Sequence, residues 1–491
     1  MKFQLRFFIP LLLACCLTGS GSLLHAAEQQ STRPNIILCM TDDQGWGETG
    51  FMGHPILKTP HLDDMAASSL RLDRFYAAAP VCSPTRGSFL TGRHPNRFAC
   101  FSWGHTLRPQ EVTVAEAVKS VGYTTGHFGK WHLGSVQSNS PVSPGNSGFD
   151  EWVSSPNFYE NDPYMSHNGV VKQLKGESSR VTVDAALDFI KQADKDKKPF
   201  LAVIWFGNPH TPHEAVSELK ELYPGQKPNF QNYFGEISGV DRAMGHLRGQ
   251  LRDLGLAENT LLWFTSDNGP RPPQFKTEEA RSQATGGLAG FKGNLWEGGV
   301  RVPSLIEWPA VIKKPEVSNV PCGTIDIYPT VLAMTGAKVS HQPQLDGVSL
   351  LPLIEGQMTA RDRPMGFWTY PEKGHPKRST DILLALQKRQ SPGHPNPKGP
   401  VPDADAGSLK TQYPKDKLPG AAALVDGNFK LLKMETKRGK PKYTLYDLVK
   451  DPAEKQDLSQ VDPQRLKKMK AALADWQHSV VDSLNGKDYA D

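Results

Sequence analysis

Two pairs of adjacent residues supply the oxygen donors that a hard divalent cation requires. Asp42 and Asp43 form the first pair, and Asp267 and Asn268 form the second. Carboxylate and carboxamide oxygens suit Ca²⁺ or Mg²⁺, and the absence of nearby His or Cys pairs argues against zinc. Because adjacent carboxylates repel each other, both stay ionised at neutral pH only beside a cation. These residues predict a site for one Ca²⁺, or for Mg²⁺, that would hold an anionic substrate group beside the metal.

Nitrogen groups suited to proton transfer occur at two other points of the chain. Lys130 and His132 stand in the sequence GKWH, and His210 follows Asn208-Pro209. Positioned histidines and lysines are common general acids and bases. The alternative interpretation, which also applies to the Asp and Asn residues above, is that such polar residues only end strands as turn formers.

The elements that must position these groups are short apolar runs. Each group comes at the end of one run, and the composition of the runs predicts strands buried on both faces. Helical patterns over 62–70, 112–121, 181–193 and 237–254 alternate with them. This alternation predicts an α/β fold with a large, mostly parallel sheet sandwiched by helices. Since ligands bind beyond the carboxyl ends of strands in such sheets, all four groups should meet at one rim. The predicted strands are 35–40, 122–128, 200–207 and 260–265.

A cysteine in a polar segment provides the most specific pattern. Cys82 lies in the sequence VCSPTRGSFLTGR, which we interpret as a turn where a thiol adds nothing to packing. Cys-x-Pro-x-Arg followed by Leu-Thr-Gly-Arg resembles the signature of the type I sulfatases of the alkaline phosphatase superfamily. The segment 122–134, GYTTGHFGKWHLG, resembles their second signature. The resemblance runs from about Arg33 to about Leu458, and within the family it is to arylsulfatases and N-acetylgalactosamine-6-sulfatase-like enzymes.

The resemblance implies that Cys82 is not the working residue as encoded. A maturation enzyme would read the Cys-x-Pro-x-Arg segment in the unfolded chain and oxidise the cysteine to formylglycine (3-oxoalanine). The hydrated aldehyde would then offer a metal-bound hydroxyl to attack sulfur, so Cys82 joins Asp42, Asp43, Asp267 and Asn268 around the metal. A serine ester would have no comparable route to expel sulfate.

The resemblance also implies roles for the cationic and imidazole groups. Arg86 and Lys130 would hold the formylglycine oxygens, and His132 would act as the base. His210 would protonate or stabilise the leaving group, and Lys292 would contact the sulfate and the leaving oxygen. For two further features the resemblance implies no catalytic role. His213 is expected to have either a structural or a substrate-contact role. The Glu297–Arg301 stretch is expected to be a loop held by a salt bridge.

Composition and the N-terminal segment bear on location and partners. The chain has 491 residues, with 56 Lys+Arg against 51 Asp+Glu, a mild excess that does not suggest nucleic-acid binding. A basic start, an apolar run over 7–17 and small residues up to 27 predict a secretory signal peptide at 1–27, and hence a periplasmic or extracellular protein. The sequence LLAC at positions 12–15 loosely resembles a lipoprotein cleavage motif, so lipid attachment at Cys15 or Cys16 is a lesser alternative. No later segment is apolar enough to span a bilayer, so no stable membrane association is expected.

These patterns divide the chain into a leader and three regions. The catalytic α/β domain is expected over 28–365, and a Pro/Lys-rich insertion or loop over 366–420, outside the core. A smaller C-terminal subdomain over 421–491 is expected to contain antiparallel strands at 421–425, 429–434 and 443–448 and a final helix from 463 to 484.

The sequence therefore predicts an exported sulfatase that hydrolyses sulfate esters, with sulfated carbohydrates as the leading substrate class. A phosphodiesterase or phosphonate hydrolase of the same superfamily would use a similar metal site. A non-catalytic binder of sulfated glycans, with Cys82 unmodified, is a second alternative. Aromatic candidates for a sugar platform are Trp46, Trp103, Trp131 and Tyr159.

Overall fold

A computed structural model describes residues 33–274, 276–375, 378–392, 394–436 and 440–489. The predicted leader, with Cys15 and Cys16, lies outside these residues. The strands are β1 Asn35–Thr41, β2 Leu70–Leu72, β3 Phe75–Tyr76, β4 Thr124–Lys130, β5 Glu151–Ser155, β6 Tyr164–His167, β7 Val170–Gln173, β8 Phe200–Trp205, β9 Thr260–Ser266, β10 Ser304–Glu307, β11 Glu316–Ser318, β12 Cys322–Gly323, β13 Met365–Trp368, β14 Ala422–Asp426, β15 Phe429–Met434 and β16 Lys442–Asp447.

The helices connect and cover these strands. They are α1 Pro60–Ala66, α2 Cys82–Thr91, α3 Val114–Lys119, α4 Ser178–Lys195, α5 Ser217–Lys220, α6 Pro228–Asp253, α7 Glu278–Thr285, α8 Glu297–Val300, α9 Ile327–Thr335, α10 Leu351–Ile354, α11 Ser379–Arg389 and α12 Pro463–Leu484. Within the described part of the chain, no helix combines the length and the apolar character needed to cross a membrane.

A ten-stranded sheet forms the centre of the molecule, with the order β11-β2-β10-β9-β1-β8-β4-β5-β6-β7 among the described residues. Its five middle strands, from β9 to β5, are parallel, and antiparallel pairs flank them on both sides. Alternate residues of β1 point into two different cores: Ile36 and Leu38 into one, Ile37 and Cys39 into the other. The continuous apolar run therefore follows from burial on both faces, and the predicted helix-covered sheet is confirmed.

The second strand of the prediction begins and ends later than expected. Gly122 has a φ of +90°, a conformation that ends a turn, and β4 starts at Thr124. The strand then continues through Lys130, so the lysine is its last residue rather than a residue beyond it.

The segment around Cys82 is a buried helix, so its interpretation as a turn was wrong. Every residue of α2 is buried. Its hydroxyl groups donate to nearby backbone carbonyls: Thr85 to Ala79 at 2.8 Å, and Thr91 to Gly87 at 2.9 Å. Because these polar side chains are satisfied locally, the helix can be buried in spite of its composition.

The C-terminal region forms a four-stranded antiparallel sheet, β13-β14-β15-β16, with α12 packed on it. The predicted strands and final helix are present, but β13 starts at Met365, on the predicted boundary between the catalytic region and the insertion. The insertion also differs from the expected loop outside the core. Its helix α11 buries Leu383 and Leu386 in the main hydrophobic cluster.

Candidate active site

The predicted site residues meet at the carboxyl ends of the middle strands. Asp42 and Asp43 follow β1 directly, and Asp267 and Asn268 follow β9. His132 comes two residues after β4, and His210 follows β8. Cys82 joins them from the first turn of α2. The parallel register of the strands thus places residues from five separate segments at one rim.

Four potential metal ligands lie together in the described residues. One ligand atom from each of Asp42, Asp43, Cys82 and His210 lies within 4.8 Å of the others. Asp267 and Asn268 connect to this group through Asp43: the Asp43 N–H donates to Asp267 Oδ1 at 3.0 Å, and Asn268 Nδ2 donates to Asp43 Oδ1 at 2.8 Å. The sequence analysis did not place His210 among the metal ligands, but a nitrogen of its ring lies within this group.

Two buried oxygens at this point have no hydrogen-bond partner among the described residues. They are Asp43 Oδ2 and Asn268 Oδ1. A buried acceptor without a partner costs free energy, and an unpartnered carboxylate oxygen costs more than a neutral one. The oxygen donors present therefore fit a hard divalent cation.

Three cationic side chains balance the three buried carboxylates. Lys130 Nζ lies 2.6 Å from Asp42 Oδ2, and Arg86 Nη2 lies 2.7 Å from Asp267 Oδ2. Lys292 donates to Asp43. Burial would raise the pKa of Asp43, but Lys292 and then His210 hold that pKa below its usual value. Burial, with Asp42 nearby, raises the pKa of Asp267 to about 6, against the opposing effect of Arg86.

The Cys82 thiol sits between one of the carboxylates and one of the cations. Its Sγ lies 3.5 Å from Asp42 Oδ1 and 3.5 Å from Lys292 Nζ. Burial raises the pKa of the thiol to about 12, although Lys130 and Lys292 oppose the shift. Without a metal cation beside it, burial therefore favours the neutral thiol at position 82 over the thiolate.

The two histidines differ in their contacts. Both ring nitrogens of His132 are buried without a partner among the described residues, and its backbone has a φ of +56°. His210 Nδ1 lies 2.6 Å from the Thr211 carbonyl oxygen, so this nitrogen donates and Nε2 faces Asp43 at 3.8 Å. Burial lowers the pKa of His210 to about 3 and that of His132 well below its ordinary value. Both rings are neutral at pH 7, as general bases must be.

A cavity of about 920 Å³ opens over these groups. Its lining includes Cys82, His132, His210 and Lys292, together with residues that the sequence analysis did not single out. The additional lining residues are Val81, Asn157, Phe158, Arg271, Phe291, Gly293, Arg378 and Asp381. Phe291 could have been predicted as a site residue because it precedes Lys292 in the chain. Arg378 and Asp381 could not, because they belong to no recognisable sequence motif.

The four aromatic candidates for a sugar platform lie in different surroundings in the structure. Trp103 lines the cavity and is 44% exposed, whereas Trp131 and Tyr159 are buried core residues. Trp46 donates to the Asp73 carbonyl at 3.1 Å and packs against Arg301. Trp103 is therefore the candidate that reaches the site.

Two other predictions concern residues beside the site. His213 Nε2 lies 3.2 Å from the Pro209 carbonyl oxygen, and its ring packs on Tyr233, which is consistent with a structural role. The expected salt bridge between Glu297 and Arg301 is present at 3.6 Å, but the stretch forms the short helix α8 rather than a loop. Lys430 of β15 also pairs with this carboxylate, with Nζ 2.9 Å from Glu297 Oε1.

The family model described as Sulfatase matches residues 34–337, which include every predicted site residue. The chain belongs to the sulfatase family. Its relatives include the steryl-sulfatase of Rattus norvegicus, at 30% identity over 71% of this chain and 74% of the relative. Another is the ulvan-active sulfatase of Formosa agariphila, at 31% identity over 72% of each chain.

Further relatives agree with this assignment. The N-acetylgalactosamine-6-sulfatase of Sus scrofa is 32% identical over 67% of each chain. Among solved structures, Ps i-CgsB in complex with k-i-k-neocarrahexaose has a TM-score of 0.73 at 25% identity, over 91% of this chain and 93% of that one. The phosphonate monoester hydrolase of Agrobacterium radiobacter shares only the fold, with a TM-score of 0.59 at 19% identity over 91% of this chain and 96% of that one.

Family membership makes the chain a sulfuric ester hydrolase. The alternative of a non-catalytic binder is thereby set aside. Arg378, Asp381 and the rest of α11 lie beyond the matched residues 34–337. One wall of the cavity is thus built by a part of this sulfatase that the family model does not include.

Proposed function

We propose that this sulfatase is exported and hydrolyses sulfate esters of carbohydrates, using a formylglycine formed from Cys82 and one divalent cation, Ca²⁺ or Mg²⁺. The observation that carries the proposal is the position of Cys82. Its sulfur lies among the ligand atoms of Asp42, Asp43 and His210, at the floor of a cavity with Lys292 beside it. Burial favours the neutral form of this thiol, which is a weak nucleophile, whereas an oxygen nucleophile at the same place could attack a bound sulfate ester.

The metal and the modified side chain would supply a nucleophilic oxygen and neutralise charge on the sulfate. Asp42, Asp43, Asp267 and Asn268 would hold the cation, and the unpartnered oxygens of Asp43 and Asn268 support this assignment. Maturation requires a separate enzyme that acts on the Cys82 segment before folding, which agrees with the complete burial of α2.

The protein's own side chains would bind the ester and transfer the protons. Lys292 and Lys130 would bind anionic oxygens of the ester and of residue 82. His132, neutral and with both ring nitrogens unpartnered, would accept a proton from residue 82. His210 would act at the ester oxygen. Because its Nδ1 already donates to Thr211, only Nε2 is available for that proton.

The carbohydrate substrate class rests on the cavity and on the relatives. The volume of about 920 Å³ is at the upper end of the range, about 300–1,000 Å³, in which proteins bury drug-sized ligands. That space exceeds the needs of a sulfate group alone. The names of two relatives refer to ulvan and to N-acetylgalactosamine 6-sulfate, and one solved structure holds a neocarrahexaose. Export is proposed from the predicted leader at 1–27.

Parallel assays on a sulfate ester and a phosphate ester of the same alcohol test this function. We expect faster hydrolysis of the sulfate ester, and loss of turnover in both Cys82→Ala and Cys82→Ser, because neither residue can become an aldehyde. Cys322→Ala, which alters a buried thiol outside the site, serves as the control. Equal or faster turnover of the phosphate ester would support the phosphohydrolase alternative. Full activity in Cys82→Ala would contradict the proposed nucleophile.

A further inference from the structure

The cavity is larger than the sulfate-binding floor, and its outer wall comes from the 366–420 insertion. Arg378 and Asp381, at the start of α11, line the cavity. The same insertion lines a second cavity of about 350 Å³, which shares His132 and Asn157 with the first. The insertion therefore occupies the place where the part of a substrate beyond its sulfate group would lie.

Trp103 is fixed as a platform at this wall. A Cβ atom added to Gly374 would lie 2.2 Å from the Trp103 ring, so the indole packs directly on the Gly374 backbone. The backbone N–H of Gly104 donates to Ser83 Oγ at 2.9 Å, next to Cys82 in the chain. The exposed part of the indole thus has a fixed position relative to residue 82. An aromatic ring held in this way suits stacking by a sugar ring.

Helix α11 is anchored as firmly as the platform. The backbone N–H of Asn157 donates to Ser379 Oγ at 2.8 Å, and Ser379 is buried. Leu383 and Leu386 pack into the main core. The start of the helix, and with it the backbone of Arg378, is therefore held in place by the catalytic region.

Arg378 and Asp381 are charged residues that the proposed mechanism does not use. Both are exposed to the cavity, and among the described residues no ion pair or hydrogen bond occupies either side chain. They are three residues apart at the start of one helix but do not pair with each other. Structural ion-pairing therefore does not explain the presence of a guanidinium at this wall.

We propose that Arg378 binds a second anionic group of the substrate, on the sugar next to the one whose sulfate is removed. This proposal rests on the proposed function and names its substrate class: a sulfated saccharide with a further carboxylate or sulfate. The guanidinium matches the planar oxygens of either group with two parallel hydrogen bonds. Trp103 stacks on a sugar ring, and Asp381 accepts a hydrogen bond from a hydroxyl group. Arg271, which comes after β9 in the chain, also lines the cavity.

Matched disaccharides test the role of Arg378. The probes are a sulfated hexosamine linked to a uronic acid, the methyl ester of that uronic acid, and the ester with a second sulfate on the neighbouring sugar. Arg378→Ala should lower kcat/KM for at least one of the two dianionic probes by about 10- to 100-fold, the loss typical of a hydrogen bond to a charged group. The methyl ester, which carries only the sulfate to be removed, should be cleaved as before. The probe that is affected identifies the anion as carboxylate or sulfate.

Two variants serve as controls. Lys388→Ala removes the same charge from the exposed side of α11 and should leave all three rates unchanged. Trp103→Ala should raise KM for all probes alike, because stacking does not depend on the second anion.

The outcomes separate this inference from the function on which it rests. If the wild-type enzyme hydrolyses the methyl ester but Arg378→Ala behaves like the wild type on both dianionic probes, the role of Arg378 is refuted and the sulfatase function stands. A loss of equal size on all three probes also refutes it. If the wild-type enzyme cleaves no sulfated disaccharide, the proposed carbohydrate function itself fails.

Discussion

His132 and His210 share one cavity, but their hydrogen bonds give them different capacities. His132 has both ring nitrogens unpartnered, so it can accept a proton at either one. His210 holds its Nδ1 proton on the Thr211 carbonyl and is supported by Phe158, whose ring stacks on it with centroids 4.5 Å apart. Neutral Nε2 has no proton to donate, so His210 can act as an acid only after an anionic substrate favours its protonated form.

This difference predicts opposite kinetic defects in two alanine variants. His132→Ala should release one equivalent of alcohol and then stop, because the enzyme is sulfated but lacks the base that completes the cycle. The peptide containing residue 82 should gain the mass of one sulfo group. His210→Ala should slow the first step by about 10²–10⁴-fold, and less for a nitrophenyl ester, whose leaving group needs little protonation. An adduct in His210→Ala but not in His132→Ala would reverse the two roles.

The oxygens of Asp43 and Asn268 lead to a prediction about metal binding. Asp43→Asn removes one negative charge while preserving shape, so it should weaken Ca²⁺ or Mg²⁺ binding by more than about tenfold, a loss seen even for outer-shell partners. Asn268→Ala should have a smaller effect, because it removes only a neutral ligand. Calorimetric titration of the chelator-treated protein measures both changes. Asp73→Asn, at a residue paired with Arg71 outside the site, is the control. Unchanged affinity in Asp43→Asn would exclude this carboxylate as a ligand.

Most of the candidate site could be predicted at this scale because its residues carry chemistry in their types. Asp42, Asp43, Cys82 and Lys130 each stand in a recognisable local pattern, and the structure brings them together. Arg378 and Asp381 could not be predicted in this way, since an exposed Arg and Asp on a helix are ordinary. Their position over the cavity depends on contacts with Asn157 and with core residues distant in sequence.

Elements buried on both faces were the ones that sequence patterns described best. Strands β1, β8 and β9 have continuous apolar runs because a hydrophobic cluster lies on each side of the sheet. Helix α2 was missed because it lacks an apolar stripe, and its hydroxyl groups bond to its own backbone. Helix α11 was not predicted because the prolines and lysines on either side of it favoured a loop, in spite of its two core leucines.

Helix α8 connects the site to the C-terminal sheet. The Gly269 N–H, next to Asn268, donates to the Gly299 carbonyl of α8 at 2.9 Å. Glu297 of the same helix receives Lys430 of β15, and the Glu297 N–H donates to Glu454 Oε2 at 2.6 Å. All three charged side chains are buried. The loop that bears the predicted ligands Asp267 and Asn268 therefore depends on an ionic network from the C-terminal region.

Removal of the Lys430 ammonium group from this network should destabilise the fold. Lys430→Met leaves Glu297 and Glu454 buried without their shared cation, a change that costs about 3–5 kcal/mol in comparable buried pairs. Urea denaturation at neutral pH measures the free energy of unfolding. Lys450→Met, at an exposed lysine, should have no effect. Adding Glu297→Gln to Lys430→Met should recover part of the loss. Equal stability of Lys430→Met and wild type would show that the network contributes nothing.

Across the whole molecule, burial keeps several imidazoles neutral, and this links stability to pH. His94 connects the region after α2 to α12: its ring packs edge-on against Trp476 with centroids 4.8 Å apart, and its Nδ1 accepts from the Asn96 N–H at 3.3 Å. The side chain is buried, and among the described residues Nε2 has no partner. Burial, aided by Arg97 and opposed by Asp346, lowers the pKa of His94 to about 3.

The sign of the pH effect follows from proton uptake. Between pH 6.5, the ordinary pKa of histidine, and about pH 3, the unfolded chain binds a proton at His94 that the folded protein does not. This stability is complete above pH 6.5 and is lost as the pH falls, by about 2 kcal/mol at pH 5. His94→Asn retains an acceptor for the Asn96 N–H but cannot be protonated, so its free energy of unfolding should fall less between pH 7 and pH 5. Urea denaturation at the two pH values measures the difference, with His478→Asn, at an exposed histidine of α12, as the control. If His94→Asn and the control lose equal stability on acidification, His94 does not contribute to the acid sensitivity of the fold.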